Sequence, residues 1–125
     1  FLVDTAAELY YDNVKKFETT SAGATVTGAL TATGDITAFS DERLKTNVKT
    51  IENPLELVSN LRGVSFTRVD TKEDSIGVIA QEIEKVIPEV VTDGAYKSVA
   101  YGNIVGVLIE AIKELKAEVE ELKGG

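Results

Sequence analysis

The chain has 125 residues, 43% of them hydrophobic, a net charge of −8 and neither histidine nor cysteine, enough for one modest domain, or a small domain plus an appendage. Its longest basic run is Lys15-Lys16 and no window reaches the ~20 apolar residues of a membrane span, so neither nucleic acid nor a membrane is expected as a partner. Thiolate and imidazole chemistry fall away, which leaves carboxylate acid/base work, carboxylate-bound Ca²⁺ or Mg²⁺, and hydroxyl nucleophiles activated by lysine.

Phe1-Leu2-Val3 runs straight into Asp4, which makes no signal-peptide core, and Phe1 reads as an artificial boundary, not a natural start. Glu8-Leu9-Tyr10-Tyr11 and Val14 to Thr19 read as two strands joined by a tight turn at Asp12-Asn13. A hexad then repeats: Thr27-Gly28-Ala29-Leu30-Thr31-Ala32 is followed by Thr33-Gly34-Asp35-Ile36-Thr37-Ala38, with Leu30 and Ile36 equivalent. One copy cannot bury its single aliphatic side chain, so the row needs neighbouring rungs or chains, as in a fibrous β-structure. The alternative is a mobile Gly/Thr-rich linker.

Near residue 40 the composition changes to that of a compact α/β unit. The acids at Asp41 and Glu42 predict a helix from Asp41 toward Ile51, fading near Asn47, with Ser40 as N-cap. Pro54 after Asn53 opens a second helix, Leu55 to Leu61, ended by Gly63. Val64 to Val69 and Ser75 to Ile79 read as strands around the polar loop Asp70 to Asp74; Gln81 to Val86 reads as a short amphipathic helix stopped before Pro88. Val90-Val91 and Lys97 to Ala100 flank a turn at Asp93-Gly94.

The last helix carries Val105, Leu108, Ile112, Leu115, Val119 and Leu122 at alternating spacings of three and four, a heptad seam with Lys116, Lys123, Ala111 and Glu118 beside it. Ile104, Val107 and Ile109 add apolar surface that packs the first half on its own domain. Beyond Glu110 the stripe is too narrow for a globular face and suits partner helices. Valine or isoleucine at a with leucine at d favours two strands, so the seam alone does not say trimer.

The expected architecture is therefore α+β: an N-terminal fibrous β-segment (1–39, hexads 27–38), a small α/β unit (40–100) and a C-terminal coiled-coil helix (101–123). The carboxylate pairs Glu120-Glu121 and Asp41-Glu42 read as solvated and lack the loop spacing of a calcium site; no metal and no cofactor is expected.

Chemistry concentrates at Ser40-Asp41-Glu42-Arg43-Leu44-Lys45. A serine is a weak nucleophile unless a base takes its proton, and without histidine the candidate base is Lys45, made neutral by desolvation or by a cation such as Arg43. Five helical residues turn the chain by about 500°, about 140° off a shared face, so the two meet only if Ser40 lies outside the helix or the contact crosses between chains. On spacing alone the pair is a very weak motif, and an N-capping serine with a solvated lysine explains it better than a catalytic dyad does.

The run Ser40 to Asn47, followed by Gly77-Val78-Ile79-Ala80-Gln81-Glu82-Ile83-Glu84-Lys85-Val86-Ile87-Pro88-Glu89-Val90-Val91 and the closing heptads, resembles the C-terminal intramolecular chaperone domain of phage tail spikes, tail fibres, neck appendages and endosialidases. The resemblance covers residues 40 to 123. It implies an intertwined homotrimer that registers its own upstream fibre segment as folding client and then cuts itself off, a single-turnover serine endopeptidase with Ser40 as nucleophile and Lys45 as general base. Asp41, Arg43 and Asn47 match the motif without a role, and no oxyanion donor is named. It further implies a virion protein made in the bacterial cytoplasm, with the cleaved domain released. A serine attacking the carbonyl before it closes a five-membered ring and one attacking its own carbonyl a four-membered one. Among Phe39, Ser40 and Asp41 the scissile bond is thus expected at Phe39-Ser40. Two other readings remain: a non-cleaving trimerisation foot, and a receptor-binding tip whose loops 70–75 and 92–97 hold a carbohydrate or protein.

Overall fold

The computed structural model describes residues 5–124; the expectations placed on Phe1 to Asp4 lie outside them. The chain divides into two compact units, up to Thr46 and from Asn47 onward.

The first unit is an antiparallel meander, β1 (Glu8–Tyr11), β2 (Val14–Thr20) and β3 (Gly23–Val26), in that order. Asp12 (φ 50°) and Asn13 (φ 64°) both take the left-handed conformation that a two-residue hairpin turn needs. A bulge between Leu9 and Tyr10 brings Lys15 onto the like-charged pair Glu8 and Glu18, which face each other across the ladder. Lys15 Nζ lies 2.9 Å from one carboxylate and 2.8 Å from the other, and hydrogen bonds to Glu18 first and Glu8 second raise its pKa. β3 had no place in the sequence reading, because Gly-Ala-Thr-Val shows no apolar alternation; it forms because Gly23 closes a tight loop onto the Thr20 hydroxyl. Residues 27–38 form no strand, and Leu30 and Ile36 stand exposed.

The helix expected from Asp41 to Ile51 shrinks to one 3₁₀ turn, Glu42–Leu44. Its N-cap is Asp41, not Ser40, and Lys45 is already extended at φ −125° and ψ 149°. Asn47 is left-handed at φ 53°, which a continuing helix cannot accommodate.

The second unit holds α1 (Pro54–Ser59), the hairpin β4 (Val64–Thr67) and β5 (Asp74–Gly77), α2 (Ala80–Glu84), a 3₁₀ turn at Pro88–Val90, the short pair β6 (Val91–Thr92) and β7 (Ser98–Val99), a 3₁₀ turn at Tyr101–Ile104, and α3 (Val105–Gly124). Both strand pairs are antiparallel. The α-helices and strands fall within a few residues of their expected places, since Pro54, Gly63, Pro88 and Asp93-Gly94 punctuate the chain; the two 3₁₀ turns were not expected. Ile83, Ile87, Val90 and Val107 form the buried core, with Leu57, Val58, Leu61, Val78 and Ile104 packed around it.

On α3, Val107 and Ala111 are buried, and Glu114 one turn on accepts a hydrogen bond from the Leu55 amide of α1 at 3.0 Å. The heptad seam lies about 100° round the helix from this face, and in the single chain Leu108, Ile112, Leu115, Val119 and Leu122 are exposed.

Candidate functional site

Ser40 to Lys45 belong to the first unit. Asp41 starts the 3₁₀ turn: its Oδ1 accepts the Arg43 backbone N–H at 2.8 Å, which fixes the direction in which the turn departs. The turn then closes through the Leu44 and Lys45 amides onto the carbonyls of Asp41 and Glu42. Three residues of 3₁₀ helix, followed by an extended Lys45, double the chain back, and Lys45 Nζ donates to Ser40 Oγ at 2.6 Å.

The contact lies within one chain, and Ser40 stands outside the turn; the first of the two geometries left open by the spacing is the one observed. A long helix would have carried the two groups apart.

The neighbouring charges are already matched. The Arg43 side chain reaches back over two residues and holds Asp41 in a fork, Nε to Oδ1 at 3.0 Å and Nη2 to Oδ2 at 2.9 Å. This guanidinium, and then the Arg43 amide, lowers the Asp41 pKa. Among the described residues no carboxylate lies within ion-pair distance of Lys45. Asp41 and Arg43, left without a role by the sequence, thus form one unit; an acid and an arginine two apart on a turn were the available signal. Asn47 contributes its left-handed backbone, a conformation asparagine tolerates better than most residues.

Ser40 and Lys45 are both exposed in the single chain. Beside them Phe39, Asp41, Arg43 and Leu44 line an open cavity of about 440 Å³. Phe39 is 96% exposed, which places the expected scissile bond in solvent reach. Among the described residues no cluster of acidic side chains is placed to hold a metal ion, and no helix is long and apolar enough to cross a membrane.

Residues 40–92 match the family model described as the chaperone of endosialidase, a model named for a peptidase. The chain carries a domain of this family. Its match begins at Ser40, the residue at which the Lys45 contact is made. Relatives include the long tail fiber protein Gp37 of Enterobacteria phage M1, 36% identical over 101 residues, covering 71% of this chain and 40% of the relative. That of Enterobacteria phage K3 is 35% identical over 95 residues (67% of this chain, 8% of the relative). That of Salmonella phage S16 is 32% identical over 109 residues (71% and 15%). The chain therefore spans well under half the length of these relatives. With this family and these relatives, the chaperone domain is one of phage fibres.

Proposed function

We propose that this chain is the folding and release module of a phage fibre: three copies register an upstream β-structured segment, and each then cuts itself away at Phe39-Ser40. The observation that carries the cleavage reading is the 2.6 Å contact between Lys45 Nζ and Ser40 Oγ, within reach of proton transfer.

With Lys45 neutral, its amine takes the Ser40 hydroxyl proton as Oγ attacks the Phe39 carbonyl carbon. The C–O bond forms, the C–N bond to Ser40 breaks, and the ammonium returns the proton to the departing amine. Phe39 is left as an ester on Ser40 Oγ. Water then hydrolyses the ester to a Phe39 carboxylate and a restored hydroxyl. Attack through a five-membered ring favours this bond, and the exposed Phe39 leaves it accessible.

Assembly has a physical task here. A lysine acts as base only when its neutral form is favoured, and desolvation is the main means. In the single chain the pair is open to water, so the covering surface has to come from neighbouring copies. The exposed heptad stripe of α3 supplies a means of bringing them together as a coiled coil, and the exposed Leu30 and Ile36 a means of bundling the upstream hexads. A trimer fixed at one end raises the effective concentration of the other strands and sets their register, which long-range β-pairing otherwise reaches slowly. Cleavage afterwards leaves the fibre kinetically trapped, because the aligning element has gone. The relatives, named as long tail fiber proteins, support a phage fibre as the client of such a module.

A denaturing gel of freshly synthesised chain tests the reading. Wild type yields fragments of about 39 and 86 residues, while Ser40→Ala stays whole and still trimerises. Lys45→Arg also stays whole, because arginine keeps its proton. An intact wild-type chain after complete folding overturns the cleavage reading and leaves a non-cleaving foot.

A further inference from the structure

Two acids, Asp41 and Glu42, sit between the serine and the lysine of this site. A lysine so placed has an obvious partner in Asp41, and such a pair holds the ammonium form that cannot accept a proton. The structure shows a different pairing. Both Asp41 oxygens are taken by the Arg43 fork, at 3.0 and 2.9 Å, and Oδ1 also caps the turn. Lys45 turns instead to the serine oxygen.

We infer that Arg43 is a positioning residue for the cleavage reaction: by locking the Asp41 carboxylate to itself it denies Lys45 a counterion, so that the amine faces Ser40 and can be used as a base. The inference rests on the Ser40–Lys45 reading above and deepens it. A fork needs two N–H groups in one plane, which the guanidinium has and an ammonium lacks, so arginine outcompetes lysine for this carboxylate. The lowered Asp41 pKa, caused first by the Arg43 side chain, agrees with that preference. The charged groups on this turn are Asp41, Glu42, Arg43 and Lys45; Glu42 makes no ion pair among the described residues, and the cavity beside the turn is lined by Phe39, Asp41, Arg43 and Leu44.

Substituting Arg43 leaves the fold intact, since 88% of its side chain is exposed. Arg43→Gln frees Asp41 to take Lys45, so cleavage of the full chain at neutral pH slows by about tenfold and its rise with pH moves up by about one unit. Asp41→Asn in the Arg43→Gln background removes the competing carboxylate while the asparagine oxygen keeps the cap. Cleavage then recovers to within about threefold of wild type and the pH profile moves back. Arg43→Lys, with the charge but not the fork, falls between. A purely structural role for Arg43 predicts a slower rate at every pH and no rescue by the second substitution, and either result overturns the inference. If Arg43→Gln cleaves at the wild-type rate while Ser40→Ala does not cleave, this inference alone fails; if wild type does not cleave, the dyad reading fails with it.

Discussion

At the scale of single residues, space and hydrogen bonding decide identities that hydropathy leaves open. A Cβ built on Gly77 would lie 2.6 Å from the Tyr101 hydroxyl, and that hydroxyl accepts the Val78 amide at 3.2 Å. The glycine lets a tyrosine from beyond β7 close over the end of β5. Gly77→Ala is expected to cost about 1 kcal/mol, the low end for overpacking, because the clashing atom is the tip of a half-exposed tyrosine that can give way. In a Tyr101→Phe background the offending oxygen is gone and the nearest remaining atoms stand at 3.5 Å, so the same substitution costs measurably less there. Denaturant unfolding of the four proteins of the cycle checks this; equal costs in both backgrounds would exclude the clash as the cause. Ser40 and Lys45 were legible as a pair in the sequence through resemblance, whereas the Arg43 fork on Asp41 was not, because the residue string does not say which cation an acid will choose.

At the scale of elements, the short helix α1 shows how a weak start is repaired from elsewhere. Asn53 at its N-cap is left-handed and makes no side-chain cap, and Pro54 brings no amide. The first free N–H, that of Leu55, is taken by Glu114 of α3. Glu114→Ala should therefore destabilise the second unit by about 1 kcal/mol, the usual worth of a cap, while Glu114→Gln keeps an accepting oxygen and most of that stability. Thermal unfolding of both variants reads the difference, and equal losses would mean that packing rather than the cap is at stake. Punctuation by proline, glycine and asparagine made α1, the hairpins and the stop before Pro88 legible, because those residues restrict φ locally. The helix expected after Ser40 stopped after one 3₁₀ turn: Asp41 capped that turn over two residues, Lys45 was already extended, and Asn47 turned the chain out. β3 was missed because its residues carry no period.

For the molecule as a whole, α3 carries two stripes with different duties. Val107 and Ala111 are buried on the face turned to their own unit, and the seam Leu108, Ile112, Leu115, Val119 and Leu122 is exposed in the single chain, the surface that the proposed assembly would use. Replacing Leu115 and Leu122 by Asp touches the seam alone: Leu115 is 50% and Leu122 82% exposed in the single chain. These variants should sediment as folded monomers and lose self-cleavage, as an open dyad is no longer covered. A monomer that cuts itself at the wild-type, concentration-independent rate would show that assembly does not gate the chemistry. By itself the amino-acid sequence determined the exclusions of thiol and imidazole chemistry, the turns, the two-faced last helix and the positions of the serine and lysine, all properties of residue type and local spacing. Tertiary structure alone decided that the chain doubles back at Lys45 to meet Ser40, that Arg43 takes Asp41, and which stripe of α3 enters the core. Those outcomes are competitions among alternative partners, within a few residues on the turn and across the unit for α3, and only three-dimensional proximity settles them.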